Sequence, residues 1–457
     1  MTTRFWLLLC LALSALSSLS EAQSRTGSVT PPMPARRGIP LYYEAAALFT
    51  PDTSSVIVTV HFRIPRDFFI FIRNEGAAPD SAFKATGEIV VELLDDQSST
   101  VTRDLRYLRL YNPRQLSGAP GESEIVGRST FTVRPGTYRL AFIIEDKQSG
   151  RNFADRSRLI AALGLAPGTL NVSKPILVPA ERVADSSRGE DLPVLNFGGD
   201  VVFGGHAAAA MLQVFRPDSA QDFAVEWSLK NKAPLYGIDS TELTGTAFTS
   251  VPGRLVPSGT GDSTVFRIEP SERGWYVMFL PLPLEKLFEG RCDVRATIRA
   301  GAASRDVTDS FRVVWPSKPG SLIDIDLAID ALQHIATDQQ MDAIRSLSLS
   351  RRTSAFTAFW RAMDPDSSSA YNEKFAEYYR RVDIAMERFR GPKDFEGYRT
   401  DQGRIYILYG APSDSRRLFS PTSAPEEVWT YNALRQRFVF VDKFRTGVFI
   451  LTDVQPL

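Results

Sequence analysis

Val56-Ile-Val-Thr-Val-His-Phe62 sets Val56, Val58, Val60 and Phe62 on one side of an extended chain and Ile57, Thr59 and His61 on the other. Side chains alternate across a strand, so a branched and aromatic run with this period reads as part of a sheet. Working outward, Phe68-Phe-Ile-Phe-Ile72, Glu88-Ile-Val-Val-Glu-Leu-Leu94 and Phe131-Thr-Val133 read the same way. Arg134-Pro-Gly-Thr-Tyr-Arg-Leu-Ala-Phe142 is a turn feeding a strand, and Glu145-Asp-Lys-Gln-Ser-Gly150 is the polar turn after it. Short strands separated by turn residues at these intervals predict an antiparallel, immunoglobulin-like sandwich over residues 39–175.

A second β-rich stretch, residues 176–316, contains Phe266-Arg-Ile268, Trp275-Tyr-Val-Met-Phe-Leu280 and Phe311-Arg-Val-Val-Trp315. Leu195-Asn-Phe-Gly-Gly-Asp-Val-Val-Phe-Gly-Gly205 carries paired glycines, but they lack the GxGxxG spacing and no helical pattern follows, so they read as tight turns rather than a phosphate loop. Ser258-Gly-Thr-Gly-Asp262 reads as a hairpin loop. Beyond Ser317 the period changes to 3.6: Leu322, Ile325, Ile329, Leu332 and Ile335 form one helical stripe. Helices are also expected over residues 350–363 and 368–389, the former stopped by Asp364-Pro365. The last 60 or so residues read as strands again, beginning with Arg404-Ile-Tyr-Ile-Leu-Tyr409. The fold class expected is therefore multi-domain: two all-β immunoglobulin-like sandwiches, then an α+β domain over residues 317–457, helices first and a small antiparallel sheet last. A length of 457 residues accommodates these three units.

Arg4 precedes an uncharged run from Phe5 to Leu19, and Ser20-Glu21-Ala22 puts small residues where signal peptidase reads them. A signal peptide over residues 1–22 and export to the periplasm, cell surface or medium are expected. The apolar run is shorter than the roughly 20 residues needed to span a bilayer, and no transmembrane segment is expected once it is removed. Residues 23–38, with Pro31, Pro32, Pro34 and Arg36-Arg37, read as a flexible leader. Removal of Cys10 leaves Cys292 alone, so stability must come from packed cores rather than an internal disulfide. Cys292 falls in an alternating strand and reads as a buried thiol. The Asn171-Val-Ser173 sequon is short enough to occur by chance. Fifty-three basic and 53 acidic residues balance, which argues against recognition of nucleic acid by bulk charge.

The three histidines, His61, His206 and His334, lie far apart in sequence. No HExxH, CxxC or GxSxG pattern is present, so neither a zinc centre nor a serine-hydrolase elbow is expected, and no cofactor is implied. Polar and aromatic residues cluster most densely in the last domain. Trp360 and Asp364 end one helix; Glu373 opens the next, where Glu377 stands within ion-pairing reach of Arg380 and Arg381. Tyr398, Thr400, Asp401 and Arg404 follow, then Tyr409 and Trp429. These eleven residues other than Glu377 are the candidate binding cleft or structural framework. Thr400 and Asp401, in a loop just before the expected strand, suit the capping of backbone amides and pairing with an arginine.

This pattern resembles the GWxTD-domain family of exported bacterial proteins. The resemblance spans roughly residues 320–457 and rests on Phe359-Trp360 with Asp364-Pro365, Asn372-Glu373 with Tyr378-Tyr379-Arg380-Arg381-Val382, Gly397-Tyr-Arg-Thr-Asp401 followed by Gly403-Arg404-Ile405-Tyr406-Ile407, and Tyr409-Gly410-Ala-Pro412-Ser-Asp414. Val428-Trp429-Thr-Tyr431 and Phe438-Val-Phe-Val-Asp442 complete it. Tyr398 stands where the signature has tryptophan. The resemblance implies an exported, multi-domain setting and transfers no reaction. The expected function is a non-enzymatic binding or scaffold protein of the cell envelope, whose partner is another envelope protein, a peptide or a glycan. The alternative is a hydrolase using Asp364, Glu373 and Asp401 as acid and base.

Overall fold

The computed structural model describes residues 41–457 apart from 79–80, 113–123, 196–200, 206, 217–221, 234–237, 261–263, 272, 367, 392–395 and 420–422. The expected signal peptide and leader, Cys10, His206 and the Gly198-Gly199 pair lie outside the described residues.

Alternation decides the first sandwich. Strand Val56–Pro65 buries Val56, Val58, Val60, Phe62 and Ile64 and pairs antiparallel with Tyr42–Phe49 on one side and Glu124–Val133 on the other. The facing sheet runs Thr100–Asn112, Phe83–Leu94, Gly136–Asp146, Asn152–Ala162. With the two-residue strand Ile72–Arg73 also pairing with Phe83–Leu94, this sheet has five strands facing three, and the order of the long strands is the immunoglobulin-like arrangement. Tyr138, near the start of Gly136–Asp146, donates its hydroxyl back to the Arg134 carbonyl at 2.7 Å, the corner bond that marks such domains. The expected strand at Phe68–Ile72 is instead a 3-10 turn, Arg66–Phe68, followed by a two-residue strand, Ile72–Arg73. Phe68 and Phe69 are buried while Ile70 and Ile72 are exposed, so the apolar run packs by its first half and never alternates.

The second sandwich repeats the plan. One sheet runs Ile176–Pro179, Ala208–Phe215, Trp275–Leu282, Thr249–Pro252; the other runs Val201–Val202, Ala303–Val314, Gly290–Ala300, Phe223–Ala233, Ile238–Gly245. Val201–Val202 lies parallel to Val313–Val314, the one parallel pairing among the described strands. The sheet of Ala208–Phe215 begins earlier than residue 176, because Asn171–Val172 already pairs with Val214 and Phe215. The sequon Asn171 is buried and bonded to Ala166 and Thr169. A hairpin of Arg254–Ser258 and Val265–Glu269 forms an added sheet with Leu192–Pro193; residues 261 and 262 of the loop expected at 258–262 lie outside the described residues. Cys292 faces the core, and burial pushes its thiol up to about 12.

The two sandwiches share a core. Leu48 of the first packs with Val178, Ala209, Met211, Phe266 and Phe279 of the second. The Gln213 carboxamide accepts the Phe49 N–H at 2.8 Å and donates to the Phe49 carbonyl at 3.3 Å. Arg128 donates to the carbonyls of Ser258, Val265 and Gly259.

The chain then turns helical. Five helices follow: α1 Ile325–Ala331, α2 Asp338–Arg345, α3 Leu349–Ala362, α4 Glu373–Arg388 and α5 Asp401–Tyr409. The stripe from Leu322 to Ile335 is broken into a 3-10 turn at Gly320–Leu322, α1, and a second 3-10 turn at Leu332–His334. Helix α2 carries a capping box in which Thr337 and Gln340 satisfy each other's backbone. The expected strand at Arg404–Tyr409 is α5; Thr400 caps it through the Gly403 N–H at 2.9 Å, and a short apolar run does not separate strand from buried helix by periodicity. A four-stranded antiparallel sheet closes the fold: Asp414–Leu418, Glu426–Tyr431, Gln436–Val441 and Ile450–Pro456. Phe203 and Trp315 of the second sandwich meet Tyr371 and Phe375 in a cluster of edge-on and tilted rings 5.2–6.0 Å apart, which seats the helices on the sandwich.

Candidate functional site

Helix α4 organises the candidate residues. Its apolar side presents Tyr378, Tyr379 and Val382, all buried, to Trp360 of α3. Tyr378 and Tyr379 donate their hydroxyls to the Ala331 and Ala328 carbonyls, each at 2.6 Å, so α1 is tied to α4 by carbonyls near its end. Asn372 caps α4 through the Phe375 N–H and donates to the Trp360 carbonyl at 2.9 Å. Trp360 is therefore core, as its 5% exposure requires.

The segment Gly397–Arg404 is held by close backbone approach. A Cβ on Gly397 would stand 2.1 Å from the Ala385 carbonyl oxygen, and one on Gly403 would stand 2.0 Å from the Gly397 carbonyl oxygen. Only glycine lets α4 and the start of α5 come this near. Tyr398 is fully buried beside this contact. Burial is the main force pushing its hydroxyl up to about 12. That hydroxyl accepts from Arg399 Nε at 2.9 Å, and Arg399 also pairs with Asp330 and Glu396. His334 Nε2 meets the Tyr398 carbonyl at 2.8 Å. Its pKa is lowered chiefly by burial, and also by the charge of Arg404. Nitrogen facing carbonyl makes Nε2 the protonated nitrogen.

Thr400 and Asp401 divide the work at the start of α5. The Thr400 hydroxyl donates to the Gly397 carbonyl and accepts from Gly403, a cap worth about 1 kcal/mol. One Asp401 oxygen takes the Arg404 guanidinium at 3.2 Å and the other takes the Leu451 N–H at 2.9 Å. At the far end of α5, Arg381 donates to the Ile407 and Leu408 carbonyls, both at 3.2 Å, and to Glu377 at 2.6 Å. Glu377 also binds Arg380, and its carboxyl lies below the usual range because of the Arg380 bond first and that of Arg381 as well.

Tyr409 and Trp429 belong to the sheet rather than to this cluster. Trp429 is buried against Phe389 and Phe440 and donates its indole N–H to Glu427 at 2.8 Å. Burial would raise the Glu427 carboxyl, but the bonds from Trp429 and Arg417 outweigh it and hold it low. Half-exposed Tyr409 leans on Phe438 and Tyr431. Asp364 is spent on the Asp366 N–H at 3.0 Å, and exposed Glu373 makes no ion pair among the described residues.

The candidate residues thus form three groups rather than one cleft. Gly397 packs on Ala385 while Arg381 reaches the end of α5, so α5 runs antiparallel to α4 with Asp401 beside the far end of α4. Glu373 stands twelve residues before Ala385, about 18 Å along the axis at 1.5 Å per residue. Among the described residues, no group of three or more His, Cys, Asp or Glu could hold a metal ion. No described helix is long and apolar enough to cross a membrane.

Residues 310–449 match the GWxTD domain. The match begins inside strand Ala303–Val314 of the second sandwich and runs through the helices into the closing sheet. No curated protein matches the chain. Arg399, Asp330, His334 and Glu427 complete the bonding of the GWxTD domain and were not among the sequence candidates. Arg399 lies within the motif itself, while the Glu427-Val-Trp429 spacing put a carboxylate and an indole on one strand face.

Proposed function

We propose that this protein is an exported interaction or scaffold protein of the cell envelope, in which the GWxTD signature is a folding framework. The observation that carries the reading is the destination of the signature's polar groups. Tyr398, Thr400 and Asp401 bond to Arg399, Gly397, Gly403, Arg404 and Leu451, and the Asp401 and Glu373 carboxylates stand at opposite ends of α4. Paired catalytic carboxylates need a shared substrate between them, and this layout supports a structural role. Export is supported by the Arg4, Phe5–Leu19 and Ala22 pattern.

Photo-crosslinking residues placed in the native host at Tyr107 and Phe419, 72% and 73% exposed, test the reading. A defined covalent adduct with one envelope component, unchanged by Glu373→Gln, supports it. Turnover of a peptide or glycan substrate that Glu373→Gln or Asp364→Asn abolishes would replace it with the hydrolase.

A further inference from the structure

The Gln213 carboxamide does at Phe49 what a neighbouring strand would do. A side-chain amide carries the same donor and acceptor as a peptide group, and this one satisfies both the N–H and the C=O of Phe49 from the edge opposite strand Val56–Pro65. In an antiparallel strand the backbone groups of every second residue point to the same edge. The N–H and C=O of Ala47 and Ala45 therefore point the way those of Phe49 do. Among the described residues, no strand pairs with that edge of Tyr42–Phe49.

That edge opens into a cleft of about 340 Å³ between the two sandwiches. Ala45 and Ala47 line one side, and Ile176 and Val307 of the second sandwich line the other. Leu159 and Leu163 stand at its rim, 67% and 54% exposed. The facing strand Ala303–Val314 is also open on this side over Arg305–Ser310, since its outer pairing is confined to Val313 and Val314. Charges at the cleft balance in sign: Glu44 pairs with Arg158 at 3.3 Å, Lys174 with Asp309 at 3.9 Å, and Arg305 and Asp306 add one of each. Burial raises the Asp309 carboxyl, and the Lys174 charge opposes the rise.

We propose that this cleft binds an extended, uncharged segment of a partner polypeptide, which adds as a strand to the Ala45–Ala47 edge, continuing from the rung that Gln213 occupies. Its backbone bonds Ala47 and Ala45, and its alternate apolar side chains rest on Leu159, Leu163, Ile176 and Val307. Balanced ion pairs disfavour a charged segment, and small alanines leave room for backbone approach. Strand addition draws affinity from main-chain bonds and specificity from alternate side-chain pockets. The assignment rests on the interaction reading above and names its partner chemistry.

The test selects displayed random heptapeptides against the full chain and measures the enriched sequences by fluorescence anisotropy. Ala47→Pro removes the N–H that faces the cleft while costing no bond to Val56–Pro65. Leu159→Arg places charge on the exposed rim and leaves the fold intact. The expected result is enrichment of alternating apolar heptapeptides, tenfold or weaker binding by both variants, and slowed amide exchange at Ala45 and Ala47 when peptide is bound. No enrichment, or equal binding by either folded variant, overturns the proposal. So does a wild-type dimer that Ala47→Pro dissolves, which would assign the edge to a second copy. A crosslinked partner at Tyr107 or Phe419 that survives both variants would leave the interaction reading standing and remove the cleft alone.

Discussion

The Asp401 carboxylate accepts the Leu451 N–H at 2.9 Å across fifty residues of chain, so the first turn of α5 holds the last strand of the closing sheet. The same carboxylate faces Arg404, and an acid in the first turn also complements the helix dipole. Asp401→Ala leaves the Leu451 amide without its partner and is expected to cost about 1–3 kcal/mol. Asp401→Asn keeps an acceptor oxygen and should cost less. Hydrogen exchange at Leu451 reads the difference: the alanine variant should exchange at least about fivefold faster, as a cost of about 1 kcal/mol requires. Equal exchange in the two variants would mean that charge, rather than the acceptor, secures the strand.

Arg381 closes the opposite end of α5. Its guanidinium serves the Ile407 and Leu408 carbonyls and Glu377 together, a fork that a lysine ammonium does not reproduce. Arg381→Lys is expected to retain the charge at the helix terminus but lose about 1 kcal/mol, and Arg381→Ala about 2 kcal/mol. Urea unfolding followed by tryptophan fluorescence checks the order. A lysine variant as stable as wild type would show that the positive charge alone matters.

Both sandwiches were legible because Val56–Phe62 and Trp275–Leu280 alternate or stay apolar over whole strands; burial goes beyond that period, since Thr59 and His61 on the opposite face are buried as well. Tyr406 and Ile407 carry no such mark. Arg404–Tyr409 is apolar enough for a buried strand or a buried helix, and the decision lay in Thr400 meeting the Gly403 N–H. Thr337 and Gln340 likewise spell a capping box for α2, just beyond the apolar stripe that ends at Ile335. The eleven candidate residues all lie in the last domain, and their division into helix core, α5 caps and sheet depends on contacts such as Asp401 with Leu451. The Gln213 bond to Phe49 spans 164 residues, and no local pattern announces it. Such pairings arise only when two sandwiches that each satisfy their own period are pressed together.

His61 makes that junction sensitive to acid. It sits buried on strand Val56–Pro65, bonded to Thr59 at 3.1 Å, with its ring edge-on to Phe266 of the second sandwich and Arg128 as cross-strand partner. Burial first, and the charge of Arg128 second, lower its pKa to about 3. Because the folded value lies below the unfolded value of about 6.5, the unfolded chain takes up the proton first as pH falls. The stability is complete above pH 6.5 and is lost between there and about pH 3. At pH 5 the loss is about 2 kcal/mol. Urea midpoints at pH 7 and pH 5 should differ in the wild type and converge in His61→Leu. An unchanged difference in that variant would place the acid sensitivity at other groups.

Tyr398 separates packing from hydroxyl chemistry at the signature position. Its ring is fully buried beside the Gly397–Ala385 contact, whereas its hydroxyl accepts one bond from Arg399, which also pairs with Asp330 and Glu396. Removing the oxygen leaves Arg399 with two carboxylates, so Tyr398→Phe is expected to cost about 0.5–1.5 kcal/mol. Removing the ring leaves a cavity between α4 and α5 that glycine-tight backbones cannot close, and Tyr398→Ala should cost about 3–5 kcal/mol. Tyr398→Trp restores the signature residue but adds volume to a filled site, at about 1–3 kcal/mol unless the neighbours move. Unfolding of the three variants, measured beside peptide or partner binding, tells the roles apart. A framework residue changes stability in that order while the folded fraction binds as wild type. Loss of binding in a fully folded Tyr398→Phe variant would instead give the hydroxyl a contact role.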